Sequence, residues 1–198
     1  MTSHDRRSVG WHEGTWSHPP VDTVTTAEGD LAVTAQEGSD AWLRTAYDFI
    51  NDSEHALLAP LAHGSAVEVE FTADFEAQFD QAGVFLRAGG ERWVKAGLEL
   101  VDGVVGAGAV VTDRYSDWSV GAVPEWLGRR VCVRVSWAGD ALTVRAGVVG
   151  EPLRLLRVAP FPGSLTVSAG PYVAAPSRAG LTVRFHAWRV TAPDASLH

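Results

Sequence analysis

The chain has 198 residues, 46% of them hydrophobic and 20% charged, so it can bury a substantial core and is not globally disordered. Its 24 acids against 16 bases give a formal charge of -8. That excess excludes a generic nucleic-acid or anionic-membrane surface, whose affinity comes from basic groups. One cysteine, Cys132, rules out an intrachain disulfide.

Residues 1–20 are polar, carry three histidines and end in Pro19-Pro20, which reads as a loosely structured or edge-lying lead-in. No charged segment followed by an apolar run opens the chain, and no long apolar stretch follows, which points to a cytoplasmic protein. From Leu31 onward, short alternating runs recur between turn signals, and Gly and Pro interrupt most windows long enough for a helix. This predicts an all-β, two-sheet antiparallel sandwich or jelly roll. Residues 21–192 form its single domain, and residues 193–198 are a tail. Glu68-Val69-Glu70-Phe71-Thr72 puts two acids on one strand face, which reads first as a solvated face.

The most informative stretch is Gln81–Arg87 followed by Trp93–Leu100. Ala82, Val84, Leu86, Val94, Ala96, Leu98 and Leu100 share one face by strict period two, and so predict core. Gln81, Gly83, Phe85, Arg87, Trp93, Lys95, Gly97 and Glu99 share the other, a mixture resembling the floor of a polar groove. Asp102-Gly103 then signals a two-residue hairpin. It sets Leu98 opposite Ala107, Ala96 opposite Ala109, Val94 opposite Val111 and Gly97 opposite Gly108. A two-residue loop near Gly89 would mix the faces, so parity demands three residues, Gly89-Gly90-Glu91. Gly83 then lies opposite Gly97, Phe85 opposite Lys95, and Gln81 opposite Glu99. Gly83, Gly97 and Gly108 align as a trough without side chains. Either a neighbouring loop or large side chain fills it, or a ligand does.

Asp117-Trp118 follows in a loop-like segment. The Gly139-Asp140 turn pairs Trp137 with Leu142, Val135 with Val144 and Val133 with Ala146. It leaves Ser136, Thr143, Arg134 and Arg145 on a solvent side. The seven histidines are scattered without metal-ligand spacing, so no metal or cofactor is expected, although His55 could contribute near Asp40 and Arg44.

Five segments carry a resemblance: Asp40–Thr45, Phe79–Gly83, Trp93–Glu99, Val110–Thr112 and Ser116–Ser119. They resemble a family of bacterial and fungal domains named after a fungal regulator-of-enolase protein, within the concanavalin A-like lectin/glucanase superfamily. The likeness runs from about Leu31 to Val190 and implies a concanavalin A-like jelly roll. It also draws attention to polar groups near Arg157 and Tyr172.

The expected function is binding of a carbohydrate or other small polar ligand on the concave sheet. Phe85, Trp93 or Trp118 would stack on it, and Gln81, Lys95, Glu99 and Arg157 would make polar contacts beside Gly97. One alternative is a glycoside hydrolase or lyase pairing Glu99 with Asp80 or Asp117. Such enzymes need two carboxyls roughly 5 Å apart for retention or roughly 6.5–9.5 Å for inversion. The other alternative is a protein-binding regulator of a metabolic enzyme.

Overall fold

The computed structural model describes residues 6–197. In chain order the strands are β1 (Arg7–Ser8), β2 (Thr15–Trp16), β3 (Asp22–Thr25), β4 (Leu31–Thr34), β5 (Ala41–Leu43), β6 (Ile50–Asp52), β7 (His55–Leu61), β8 (Ser65–Thr72) and β9 (Gln81–Arg87). There follow β10 (Arg92–Val101), β11 (Val104–Asp113), β12 (Tyr115–Ala122), β13 (Val131–Ala138), β14 (Ala141–Val148), β15 (Arg154–Pro160), β16 (Val167–Ala174) and β17 (Thr182–Thr191). Two single-turn 3-10 segments, Trp11–Glu13 and Pro124–Trp126, interrupt them.

Two large antiparallel sheets form the expected sandwich. The front sheet runs β12-β11-β10-β9-β16-β7-β2 and the back sheet β15-β14-β13-β8-β17-β4-β3, with β1 also on β17. β5 and β6 make a separate small hairpin. Residues 7–16 lie along sheet edges rather than loose: β1 pairs with β17, β2 with β7, and Val9 joins the core.

Every predicted hairpin register is present. β10 and β11 pair Leu98 with Ala107, Ala96 with Ala109 and Val94 with Val111. The turn between them has both central residues at positive φ, Asp102 at 50° and Gly103 at 79°, as a hairpin twisting with its strands requires. β9 and β10 pair Gly83 with Gly97, Phe85 with Lys95 and Gln81 with Glu99. The Ala88 N–H reaches the Arg92 carbonyl at 2.9 Å, closing the three-residue loop that parity demanded. β13 and β14 pair Trp137 with Leu142 and Val135 with Val144.

The core lies between the sheets. Ala82, Val84, Leu86, Val94, Ala96, Leu98, Ala107 and Ala109 are buried from the front, with Val111 partly buried at its margin. Val67, Val69, Phe71, Val133, Val135 and Trp137 meet them from the back.

The outer face of the back sheet differs from the expected solvated one. Ser136 and Thr143 are buried. Arg134 pairs with Glu68 and Asp194 at 2.7 Å each, and Arg145 with Asp194 at 3.0 Å. Residue 194 belongs to the segment after β17, so this tail covers the face. Glu70 is clasped by Arg130 and Arg189. Burial pushes its carboxyl up, but the two guanidinium groups outweigh that and hold it below the ordinary range. Glu68 and Glu70 are therefore ion-pair partners on the sheet that faces away from the site.

Candidate functional site

The second face of the front sheet is covered in one part and open in the next. Residues 39–54 cross over it. Ala41 and Leu43 of β5, with Ala56, seal Phe85, Trp93 and Tyr172 into a second small core. Phe85 and Trp93 are fully buried and cannot stack on a ligand. Arg87 lies 5.3 and 5.1 Å from their ring centroids, so it, rather than Lys95, makes the cation–π contacts. Arg87 is itself held by Asp52 at 2.6 Å and Glu54 at 2.9 Å.

The glycine trough is closed. A β-carbon on Gly97 would lie 2.1 Å from the Ala82 carbonyl oxygen and 2.9 Å from the Gly83 Cα. On Gly83 it would meet the Ala96 oxygen at 2.1 Å, and on Gly108 the Ser119 oxygen at 2.0 Å. The three glycines exist so that neighbouring backbones can approach. Only a space of about 20 Å³ remains over them, between Gln81, Lys95, Glu99, Trp118 and Tyr172.

Beside this floor opens a cavity of about 310 Å³. Trp42, Tyr47, Phe49, Phe79 and Trp118 supply its rings, and Asp40, Asn51, Lys95 and Glu99 its polar groups. Trp42 and Tyr47 meet edge to face at 6.0 Å, Tyr47 and Phe49 lie 5.8 Å apart, and Phe79 meets Trp118 at 6.5 Å. Tyr47, Phe49 and Trp118 remain exposed. The β5–β6 connection gains its shape from left-handed backbone at Arg44, Ala46 and Asp48, with φ of 60°, 63° and 53°. Phe79, at φ 65°, is left-handed too. Such conformations cost on the order of 1–3 kcal/mol each and cluster where function over-determines them. At the exposed Ala46, Val should therefore cost about 1–2 kcal/mol and Gly almost nothing, as chemical unfolding would report.

At the base of the cavity, Lys95 donates to Asp40 Oδ1 at 2.6 Å and to Gln81 Oε1 at 2.8 Å. Gln81 donates back to Asp40 Oδ1 and to the Phe79 carbonyl, both at 3.1 Å. Asp40 Oδ1 also accepts from the Ala41 N–H at 2.7 Å, and Asp40 lines the cavity. Glu99 is compensated less completely. Burial raises its pKa to about 7; the Lys95 charge and a hydrogen bond from Trp118 oppose this, and the Asp40 charge adds to it.

A carboxyl raised on folding binds its proton more tightly in the native state. Its penalty is absent below about pH 4.5, grows as pH rises, and is fully present above about pH 7. Glu99→Gln should thus stabilise the protein by on the order of 2 kcal/mol at pH 8, discounted for partial exposure, and by almost nothing at pH 4. Urea unfolding at the two pH values would show it.

Of the residues singled out in the sequence, Gln81, Lys95, Gly97, Glu99 and Trp118 converge here. Arg157 does not: it reaches from β15 to Asp117 at 2.8 Å and Ser119 at 2.9 Å, between the sheet edges. Asp117 is thereby engaged. Asp80 is buried, bound by Arg178 at 2.8 Å and by the Glu76 and Ala77 N–H groups. The carboxylate that faces Glu99 is Asp40. Tyr172 belongs to the floor, its phenol 3.5 Å from Gln81 Oε1 and its pKa raised by burial.

Asp40, Trp42, Tyr47, Phe49, Asn51 and Phe79 were not singled out as site residues, although Asp40, Trp42 and Phe79 lie in the segments that carried the resemblance. Elsewhere His18, Asp52 and Glu54 gather within 4.8 Å, but the Arg87 guanidinium already occupies the place of a cation between the two carboxylates. His55 accepts from the Gln36 N–H at 2.9 Å and contacts the His18 carbonyl at 3.0 Å. Among the described residues no helix is long and apolar enough to cross a membrane.

Comparison with known proteins agrees with this architecture. "Regulation of enolase protein 1" of Saccharomyces cerevisiae is 34% identical over 181 residues, 91% of this chain and 90% of the relative. The crystal structure of a functionally unknown protein from Saccharomyces cerevisiae superposes with a TM-score of 0.87 at 32% identity, covering 94% of this chain and all of that one. A GH43 protein of Bacillus licheniformis shares the fold alone, at TM-score 0.71 and 10% identity, over 97% of this chain and 40% of its own. The family model described as "Protein of unknown function (DUF1349)" matches residues 16–193, and the chain belongs to that family.

Proposed function

We propose that this protein binds a carbohydrate or sugar-like ligand in the cavity between the β5–β6 connection and the front sheet. The observation that carries the reading is the combination of exposed rings with a fixed polar base. Tyr47, Phe49 and Trp118 offer faces for the apolar side of a sugar ring, while Asp40, Lys95 and Glu99 offer acceptors and donors for its hydroxyls. The volume of about 310 Å³ lies at the small end of ligand pockets and suits one or two sugar units better than a long chain. Strained backbone at Ala46 and Phe79 holds the rings in position before a ligand arrives.

The test is isothermal titration against a panel of small glycans, followed by Trp118→Ala on the hits. Trp118 is 37% exposed on edge strand β12, so its removal should spare the fold. Affinity should fall about tenfold or more with loss of one stacking ring. Unchanged affinity would remove the cavity from consideration.

A second reading rests on the name of the yeast relative, which suggests a protein partner such as a metabolic enzyme. Exposed Tyr47, Phe49 and Trp118 at the cavity would then belong to its contact surface. A hydrolytic or lyase role would have to use Glu99 with Asp40, and Asp40 is already committed to Lys95. We place the protein in the cytoplasm. Burial raises the Cys132 thiol to about 12 and keeps it unreactive.

A further inference from the structure

The charges at the base of the cavity do not balance. Lys95 is 4% exposed and is neutralised by Asp40 at 2.6 Å. Glu99 is a second carboxyl with no cation of its own. The groups facing it are Lys95 on its own strand, Asp40 ahead of β5, Gln81 on β9, Trp118 on β12 and Tyr172 on β16. None is an unspent base. The nearby guanidinium groups are committed elsewhere: Arg44 to Glu91 at 2.6 Å, Arg87 to Asp52 and Glu54, and Arg178 to Asp80. The walls are aromatic, and their faces attract cations. A net charge of -8 gives the field outside the same sign.

We propose that the cavity selects ligands bearing a positive charge, an amino sugar or another ammonium group, over neutral sugars, and that it rejects acidic ones. The ammonium would complete the Asp40–Lys95–Glu99 cluster, touching Glu99 and the Asp40 carboxylate while its carbon substituents lie on Trp42 and Trp118. A carboxylated sugar would bring a third acid to a base already paired. This deepens the sugar-binding reading and rests on it for the amino-sugar form, whereas the preference for a cation can be tested without a sugar.

The experiment titrates the full chain with four probes at pH 6 and pH 8: the methyl glycosides of glucosamine, glucose and glucuronate, and tetramethylammonium, whose charge does not change with pH. At pH 6, where its amine is protonated, the amino glycoside should bind roughly fivefold to thirtyfold more tightly than the neutral one, the worth of one desolvated cation–π contact. Glucuronate should bind most weakly. Tetramethylammonium should bind several-fold more tightly at pH 8, where Glu99 is ionised, and Glu99→Gln should abolish that pH response. If glucose binds and neither cation does better, the charge selection is overturned and the sugar reading stands. If only tetramethylammonium binds, the sugar reading fails and the charge selection stands. Tight glucuronate binding, a Glu99→Gln variant that keeps the pH response, or silence from all four probes overturns the proposal.

Discussion

Gly97→Ala should destabilise the protein by about 3 kcal/mol or more, although it adds one methyl group to a strand. The added carbon would stand 2.1 Å from the Ala82 carbonyl oxygen and 2.9 Å from the Gly83 Cα. Both are backbone atoms of β9, which is hydrogen-bonded on its far side to β16, so neither can swing aside as a side-chain tip would. Relief requires β9 and β10 to part in the middle of the front sheet, beneath the second core of Phe85, Trp93 and Tyr172. Gly121 is the control. It lies on edge strand β12 with nothing within 4 Å of its missing β-carbon, and Gly121→Ala should fall within about 0.5 kcal/mol of the parent. Thermal and urea unfolding of both variants decide the matter: equal stability of Gly97→Ala and Gly121→Ala would mean the strands are not in close contact.

The contrast between these glycines shows what the residue pattern could and could not reveal. Period-two alternation assigns each side chain a face, and turn chemistry sets the pairing. Together they were enough for the Leu98–Ala107 and Gly83–Gly97 registers and for a three-residue loop at Gly89. Neither says what lies above a face. Phe85 and Trp93 were assigned to the right side of the sheet, yet Ala41 and Leu43, some forty residues earlier, cover them. Lys95, Glu99 and Trp118 were legible because they sit on strands. Trp42, Tyr47 and Phe49 were not, because their segment has no period and depends on left-handed backbone at Arg44, Ala46 and Asp48, where no glycine announces it. Glycines in a row record missing side chains without telling an open groove from two backbones in contact. Asp40 illustrates the remaining gap. An acid ahead of a short strand has no local reason to meet a lysine fifty-five residues on, and only the crossing of residues 39–54 over the sheet makes it the partner of Lys95.

Asp40→Ala should therefore cost about 3–5 kcal/mol at low pH and distinctly less at high pH. Lys95 is buried, and removing Asp40 leaves its ammonium with Gln81 alone among the groups that now bind it. The Ala41 N–H and the Gln81 amide lose an acceptor as well. Glu99 decides how much of this is recovered. At pH 5 it is protonated in the parent, since its pKa is about 7, and it can answer Lys95 only by ionising at the cost of burial. At pH 8 it is ionised already. There the parent holds two carboxylates against one ammonium, and Asp40→Ala relieves their repulsion while Glu99 takes over as counter-ion. Because the Asp40 charge raises the Glu99 pKa, its removal should also lower that pKa. The fall in stability from pH 5 to pH 8 that Glu99 imposes on the parent should then flatten or reverse in the variant. Urea unfolding of parent and variant at both pH values gives the four stabilities needed. An equal loss at pH 5 and pH 8 would mean that Asp40 and Glu99 do not share the lysine, and the charge cluster at the base of the cavity would reduce to an isolated ion pair.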